Sequence, residues 1–233
     1  MGQKKLVRFA ALENMDNVLQ HPEGMPGRWD EVFGNKNPVT LELACGKGEY
    51  SVAQGRANPE RNFLGIDIKG NRLFIGARIA LREGLKNVAF MRAQIGQLTR
   101  YFAPGDVSDI WIVFPDPFLR KSRDKNRLTH PRFLHQYQQV LQPEGRIHLK
   151  TDSPELFAFT LEVLEEQGCT IQNRIDDVYA HGTPEGPLAI QTHYEGLHLA
   201  DGRTIRYVQF SLPTTPIRLP ERFARHEAAA IAE

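Results

Sequence analysis

From Val39 onward the chain alternates short apolar runs with helix-period stretches, and very few folds accept that alternation. The runs are VTLELAC (39–45), NFLGID (62–67), NVAFMRA (87–93), DIWIVF (109–114) and GRIHLKT (145–151). Helical patterns lie between them at 48–57, 70–83, 95–102 and 131–141. A further helix is predicted over 153–167, with Ser153 as N-cap and Pro154 at its first position. Leu73, Ala77, Ala80 and Leu81 give the 70–83 helix an apolar stripe. Strands that alternate with helices build a parallel sheet through right-handed crossovers. TIQNRIDDVY (170–179) and RTIRYVQFSL (203–212) read as two more strands. They are joined by a long loop over 180–202, so that end of the sheet contains one antiparallel strand. The expected fold is α/β: a doubly wound, mostly parallel, seven-stranded sheet over 39–212. A partly irregular arm over 1–38 precedes it, and a tail over 213–233 follows. Ligands of such sheets sit at the carboxyl ends of the strands.

A chain of 233 residues suffices for one well-cored domain. No apolar run is long enough to cross a bilayer, and no signal-peptide pattern opens the chain. Cys45 and Cys169 stand in apolar contexts and read as free, buried thiols of a reducing compartment, the cytoplasm. No His, Cys, Asp or Glu cluster has metal-ligand spacing, and His130, His135, His148, His181 and His198 show no ligand pattern. Net charge is only +1, but it is unevenly spread: residues 1–150 hold 23 of the 29 Lys and Arg. The densest run is Arg120, Lys121, Arg123, Lys125, Arg127 and Arg132, opposed by Asp124. Such a patch suits a polyanion, and a solvated surface loop is the plain alternative. Lys4, Lys5 and Arg8 leave an RNA contact or a free tail equally open for the arm.

The first strand-end loop is LELACGKGEY. Gly46 and Gly48 follow a strand and open a helix, which permits a tight turn and close approach of a ligand to backbone. Ser51 occupies the third position of G-x-G-x-x-G, so the dinucleotide fingerprint is not met. Asp67 ends the second strand, where an acid can accept from both hydroxyls of a ribose or cap the next helix. Glu42 lies inside the first strand, which should be covered on both faces, and a carboxylate there calls for a cation. A core Arg or Lys would serve; so would a ligand ammonium. S-adenosylmethionine offers ribose hydroxyls and an α-ammonium, and it has no phosphate. Gln94 ends the third strand and is either a reader of an adenine edge or an ordinary polar loop residue.

The stretch DIWIVFPDPFLRKSRDKNR (109–127) runs from buried strand to cationic arm through Asp116, held between Pro115 and Pro117. With LELACGKGEY, FLGIDIKGNRLF, EGLKNVAFMRA, IHLKTDSPELF and THYE, it resembles the bacterial tRNA (guanine-N7-)-methyltransferases over about residues 39–212. The resemblance implies a Rossmann-like class I methyltransferase that uses S-adenosylmethionine to methylate N7 of a guanosine in the variable loop of tRNA. It carries donor contacts onto Glu42, Asp67, Gln94 and Asp116, and the catalytic position onto Asp116. Substrate contacts fall on Arg120, Asp152, Thr192, His193, Tyr194 and Glu195. The chain departs from the family pattern in several places. Ala44 replaces the first glycine of the loop, which suits a negative φ. Gln94 replaces an acid, Phe118 a Trp, and His193 an acid. Arg120 stands where Lys is common, favouring bidentate phosphate contact.

Guanine N7 has a lone pair and no proton, so methylation there needs placement more than a general base. A fixed Asp116 would steady the charge moved onto the purine and accept from its N1–H or N2–H edge. Asp152 is a second candidate for that edge, or an N-cap. Tyr194 would stack on a base, and Thr192 and Glu195 would complete a lid over the donor. Two rivals share the motif set. One is a methyltransferase of another nucleic-acid site, since DPF approaches the (Asp/Asn)-Pro-Pro-aromatic turn of amino-directed enzymes. The other is a non-catalytic RNA-binding protein on the same fold. Nothing in the sequence selects a protein partner, and monomer and homodimer are both open.

Overall fold

The computed structural model of the chain describes residues 8, 10–221 and 223. Its eight-stranded sheet has the order β1-β4-β3-β2-β5-β6-β8-β7. The strands are β1 (Val18–Gln20), β2 (Val39–Leu43), β3 (Asn62–Asp67), β4 (Val88–Arg92), β5 (Val107–Val113), β6 (Leu141–Thr151), β7 (Thr170–Ile175) and β8 (Arg206–Ser211). The α-helices are α1 (Trp29–Phe33), α2 (Glu49–Ala57), α3 (Gly70–Arg82), α4 (Pro131–Val140), α5 (Pro154–Gln167) and α6 (His193–Ala200). β8 runs antiparallel to β6 and β7, and the other neighbouring pairs are parallel. The seven expected strands and the single antiparallel one are present.

The eighth strand comes from the arm. Val18, Leu19 and Gln20 pair with Phe90, Met91 and Arg92. Three residues are too few to write an alternation into the sequence, so only the pairing reveals it. The arm also seeds the core: Trp29 stacks on Phe102 at 4.7 Å, its indole N–H donates to the Tyr101 carbonyl at 3.0 Å, and Met25 and Phe33 are buried. Lys4 and Lys5 lie outside the described residues. The 180–202 stretch, expected as loop, carries a 3-10 turn at Gly186–Ala189 and helix α6, capped by the Thr192 hydroxyl. A short helix of mixed polarity containing Gly196 gives little period to detect.

Every residue of β2 and of β3 is buried, as a doubly covered parallel sheet requires. On α3, Leu73, Ala77 and Ala80 are fully buried, while Leu81 is 45 % exposed and leaves the predicted stripe. At 100° per residue Gly76 and Leu81 flank the arc of the other three on opposite sides, and the buried face extends towards Gly76. A Cβ at Gly76 would stand 2.6 Å from the Lys47 carbonyl oxygen, so glycine lets α3 press against the β2–α2 loop. Ser153 caps α5 through the Leu156 amide at 3.1 Å, as its sequence predicts. Both cysteines are free; Cys45 is buried and Cys169 half-buried. No helix among the described residues is long and apolar enough to cross a membrane.

The register sets the site. Leu43 pairs with Ile66 and Ile112, Asp67 with Arg92, and Val113 with Lys150. The carboxyl ends of five strands are therefore level along one edge. The chain winds from β2 to β3 and β4 on one side, then returns to lay β5 and β6 on the other. The reversal falls between β2 and β5, where the loops diverge and leave a crevice.

Candidate active site

Two adjoining spaces fill that crevice. One, of about 370 Å³, is lined by Asp67, Arg72, Gln94, Phe114, Asp116 and Arg132. The other, of about 70 Å³, lies over the end of β2 and is lined by Glu42, Gly46, Glu49, Tyr50, Thr192 and Tyr194. Ala44, Arg72 and Phe114 border both. The structure thus brings together Glu42, Gly46, Asp67, Gln94, Asp116, Thr192 and Tyr194. A third space, also about 370 Å³, lies on the other side of the Asp116 turn and includes Leu119, Asp152 and Arg203.

The β2–α2 loop turns through three left-handed residues, Ala44 (φ +57°), Gly46 (φ +57°) and Gly48 (φ +69°). The negative φ under which alanine would be tolerated at position 44 is not adopted, because the loop must reverse between β2 and α2 within a few residues. Alanine pays about 1–2 kcal/mol in that conformation. Ala44→Gly, after the loss from a freer unfolded chain, should be neutral or stabilising by up to about 1 kcal/mol. A urea titration checks it, and a clear destabilisation would contradict this account of the loop.

Glu42 is 6 % exposed. Of the two cations the sequence left open, a core Arg or Lys is not there: among the described residues the partners of Glu42 are the Ser51 amide, at 2.8 Å, and the Ser51 hydroxyl. Burial raises its carboxyl to about 7, against the pull of those two hydrogen bonds. Ser51, which breaks the dinucleotide fingerprint, thus holds Glu42 in place. Asp67 accepts from the Gly46 amide at 2.9 Å and from the Lys69 amide at 2.8 Å. The Gly46 N–H, which a phosphate-binding turn would aim at its ligand, is given to a carboxylate instead. Gln94 is exposed at the start of the 3-10 turn Ile95–Arg100.

Asp116 is exposed at the end of β5, between two buried or half-buried prolines. Its turn is bracketed by Phe114 (φ +48°) and Phe118 (φ +43°), both in the left-handed region that bulky residues avoid. Arg127 anchors the Phe118 side of the turn. It is buried, donates to the carbonyls of Pro117 (3.0 Å) and Phe118 (3.2 Å), and its guanidinium sits 4.5 Å from the Phe159 ring centre. Arg127 is therefore a clamp on the turn and not part of the exposed arm. Arg132 is half-buried, sits over Phe133 at 4.4 Å and borders the larger space of the crevice. Arg120, Lys121 and Arg123 remain exposed.

The other predicted contacts are placed differently. Asp152 does not border the crevice; it accepts from Arg203 at 2.7 Å and lies 3.6 Å from His198. Glu195 is fully buried and cannot cover a ligand directly. It pairs with Lys150 at 2.6 Å and accepts from the Tyr179 hydroxyl at 2.8 Å. A carboxylate on the inner side of α6 has no route to solvent, which the linear motif THYE cannot indicate. The His193 amide donates to Glu49 at 2.7 Å, and its ring meets Tyr194 edge-on. Tyr194 is 46 % exposed. Lys150 carries the same signal in the sequence as Glu42, a charge inside a strand that should be covered on both faces, and it belongs to the site although no motif gives it a role.

Comparison with known proteins agrees with this construction. Residues 36–207 match the protein family described as "Putative methyltransferase". The chain is 45% identical over 224 residues to a tRNA (guanine-N(7)-)-methyltransferase of Porphyromonas gingivalis, covering 90% of this chain and 91% of that protein. A protein of the same description from Streptococcus suis is 34% identical over 196 residues, 84% of this chain and 91% of its own. Among solved structures, the 16S rRNA methyltransferase KamB superposes with a TM-score of 0.62 at 16% identity, over 84% of this chain and 99% of that one, a likeness of fold. A crevice at the sheet's reversal point and this extent of shared sequence lead to one assignment: the chain belongs to the tRNA (guanine-N(7)-)-methyltransferase family.

Proposed function

We propose that the chain transfers a methyl group from S-adenosylmethionine to N7 of a guanosine in the variable loop of tRNA. The observation that carries this reading is Glu42: a buried carboxylate with neutral donors only, opening on the crevice that Asp67 and Asp116 also border. A ligand ammonium supplies the missing positive charge. Asp67 retains lone pairs for ribose hydroxyls beside its two amide contacts. Gln94 faces the same space and can read an adenine edge. The donor's one chemical contribution is an electrophilic methyl group on a sulfonium.

The chain's own task is placement. N7 of guanine is unprotonated, so no side chain has to remove a proton, and a rigid near-attack arrangement accounts for most of the rate. Asp116 serves as hydrogen-bond acceptor for the guanine N–H edge and as a fixed negative charge beside the purine as it becomes cationic. Its turn is held still by Arg127. Tyr194 offers a ring face at the mouth for a base. Asp152, tied to Arg203 beyond the turn, is assigned to the substrate-side wall, and Arg120, Lys121 and Arg123 to the tRNA backbone.

Incubation with labelled S-adenosylmethionine and unmodified tRNA, followed by nucleoside digestion, tests the reading. Label is expected in 7-methylguanosine; label in an N2- or N6-methylated nucleoside would assign the site to another acceptor. The two arginines of the arm then separate. Arg120→Ala should reduce the slope of log affinity against log salt by about 0.7–0.9, the loss of one phosphate contact. Arg127→Met should leave that slope unchanged and lower turnover. A reduced slope in Arg127→Met would return that residue to the interface.

A further inference from the structure

Lys150 stands at the carboxyl end of β6 with no exposure to solvent. Its ammonium has three acceptors, all in one stretch of chain: the Leu188 carbonyl at 2.9 Å, the Ile190 carbonyl at 3.3 Å and the Glu195 carboxylate at 2.6 Å. An ammonium has three protons, so the set is complete. That stretch carries Thr192 and Tyr194, which line the smaller space of the crevice beside Glu42. Two further ties reach it from α2: the Tyr50 hydroxyl donates to the Pro187 carbonyl at 2.8 Å, and the His193 amide donates to Glu49. Both come from residues that line the same space.

We propose that Lys150 is a positioning residue: it fastens the 188–195 segment, through two carbonyls and Glu195, so that Thr192 and Tyr194 wall the methyl donor's amino-acid end. This rests on the donor site assigned above and adds to it a residue that touches neither donor nor RNA. The bonding pattern favours such a role over simple cohesion. A buried ion pair alone adds little net stability against an apolar pair of the same size. Lys150 spends two of its three protons on backbone carbonyls of the wall, which an apolar replacement cannot engage. Glu195 in turn fixes the first turn of α6, one residue from Tyr194.

The test uses the full chain with Lys150→Met and the paired variant Lys150→Met/Glu195→Leu. Three quantities are read: melting temperature, hydrogen exchange of residues 186–200 in donor-free protein, and steady-state constants. Lys150→Met is expected to speed exchange in 186–200 and to raise KM for S-adenosylmethionine by about tenfold, the penalty when the wall is in its binding-competent arrangement only about a tenth of the time. kcat should stay within about twofold, the pattern of lost binding as opposed to lost chemistry, and the KM for tRNA should rise with that of the donor to the extent that Tyr194 holds a base. The paired variant should regain melting temperature yet keep the fast exchange and the high donor KM, because the Leu188 and Ile190 carbonyls still lack their donor. Recovery of KM together with melting temperature would reduce Lys150 to a core residue. So would unchanged exchange and KM in Lys150→Met. Should Lys150→Met not fold, the paired variant, which lacks the same donor without leaving Glu195 unpaired, carries the readouts alone, and unchanged exchange and donor KM in it would overturn the proposal. Wild-type calorimetry with S-adenosylmethionine separates the two levels: no donor binding by wild type, with exchange still responding to Lys150→Met, would fault the donor site and not the fastening.

Discussion

Asp116→Ala should lower methyl transfer by about 10²–10³-fold, the usual loss when one preorganised electrostatic group is removed from a reacting centre, the role proposed for Asp116. tRNA affinity should stay close to wild type, because the exposed Arg120, Lys121 and Arg123, assigned above to the tRNA backbone, are untouched. The size of the effect follows from the turn. Two prolines fix φ around Asp116, and Arg127 grips the carbonyls that follow it, so the carboxylate is presented without reorganisation. Asp116→Asn refines the result. Its amide oxygen still accepts from the guanine N–H edge but carries no charge, so the part of the loss that persists in Asn measures the electrostatic share. Single-turnover rates with saturating donor and tRNA give both numbers. A rate within about threefold of wild type in Asp116→Ala, a change worth well under 1.4 kcal/mol, would remove Asp116 from the reaction.

Glu42→Gln gives the second large effect, on donor affinity and on pH dependence. Losing the charge opposite a buried ammonium costs on the order of 2–5 kcal/mol, so donor binding falls by about 30-fold or more. Calorimetry with S-adenosylmethionine measures it, and an unchanged Kd would remove Glu42 from the donor site. The pH effect has a definite sign. Burial raises Glu42 to about 7 in the folded chain, above the ordinary carboxylate value of 4.5. The folded state therefore holds a proton that the unfolded chain has released. Its stabilising contribution is complete below the unfolded value and is lost as pH rises through about 7. The loss is of order a few kcal/mol. Donor-free wild type should thus lose stability from pH 5 to 8 relative to Glu42→Gln, in urea titrations at matched pH. Parallel curves would contradict the buried, cation-free placement of Glu42. The donor's ammonium favours the ionised carboxylate, so wild-type donor affinity should rise over the same interval.

The order of strands and the level edge that holds the site were legible because backbone geometry writes itself locally. Runs such as LELAC and DIWIVF are apolar on both faces, and that is readable only as a doubly covered strand. The residues that end those strands, Asp67, Gln94 and Asp116, follow from where the runs stop. So does the demand of Glu42 for a partner, since a charge inside such a run is costly wherever the strand ends up. The partner itself was not legible. Ser51 fulfils part of the role in the folded chain, and a helix one turn away can supply a hydroxyl only once its register is set.

The arm shows the same division. A run of cations has no inward or outward sense in one dimension, and only the packing of Phe159 and the Pro117–Phe118 carbonyls turned Arg127 inside while Arg120 stayed out. THYE read as a lid in sequence, but its Glu195 became the buried half of an ion pair because β6 brought Lys150 beneath it. Ala44 looked harmless until the loop demanded a left-handed residue. Periodicity is fixed by bond geometry along the chain, so the sequence by itself determined the sheet and the edge where chemistry occurs. Which polar groups meet across that edge is fixed by the cost of burying each one unpaired, and that cost exists only after the elements have packed.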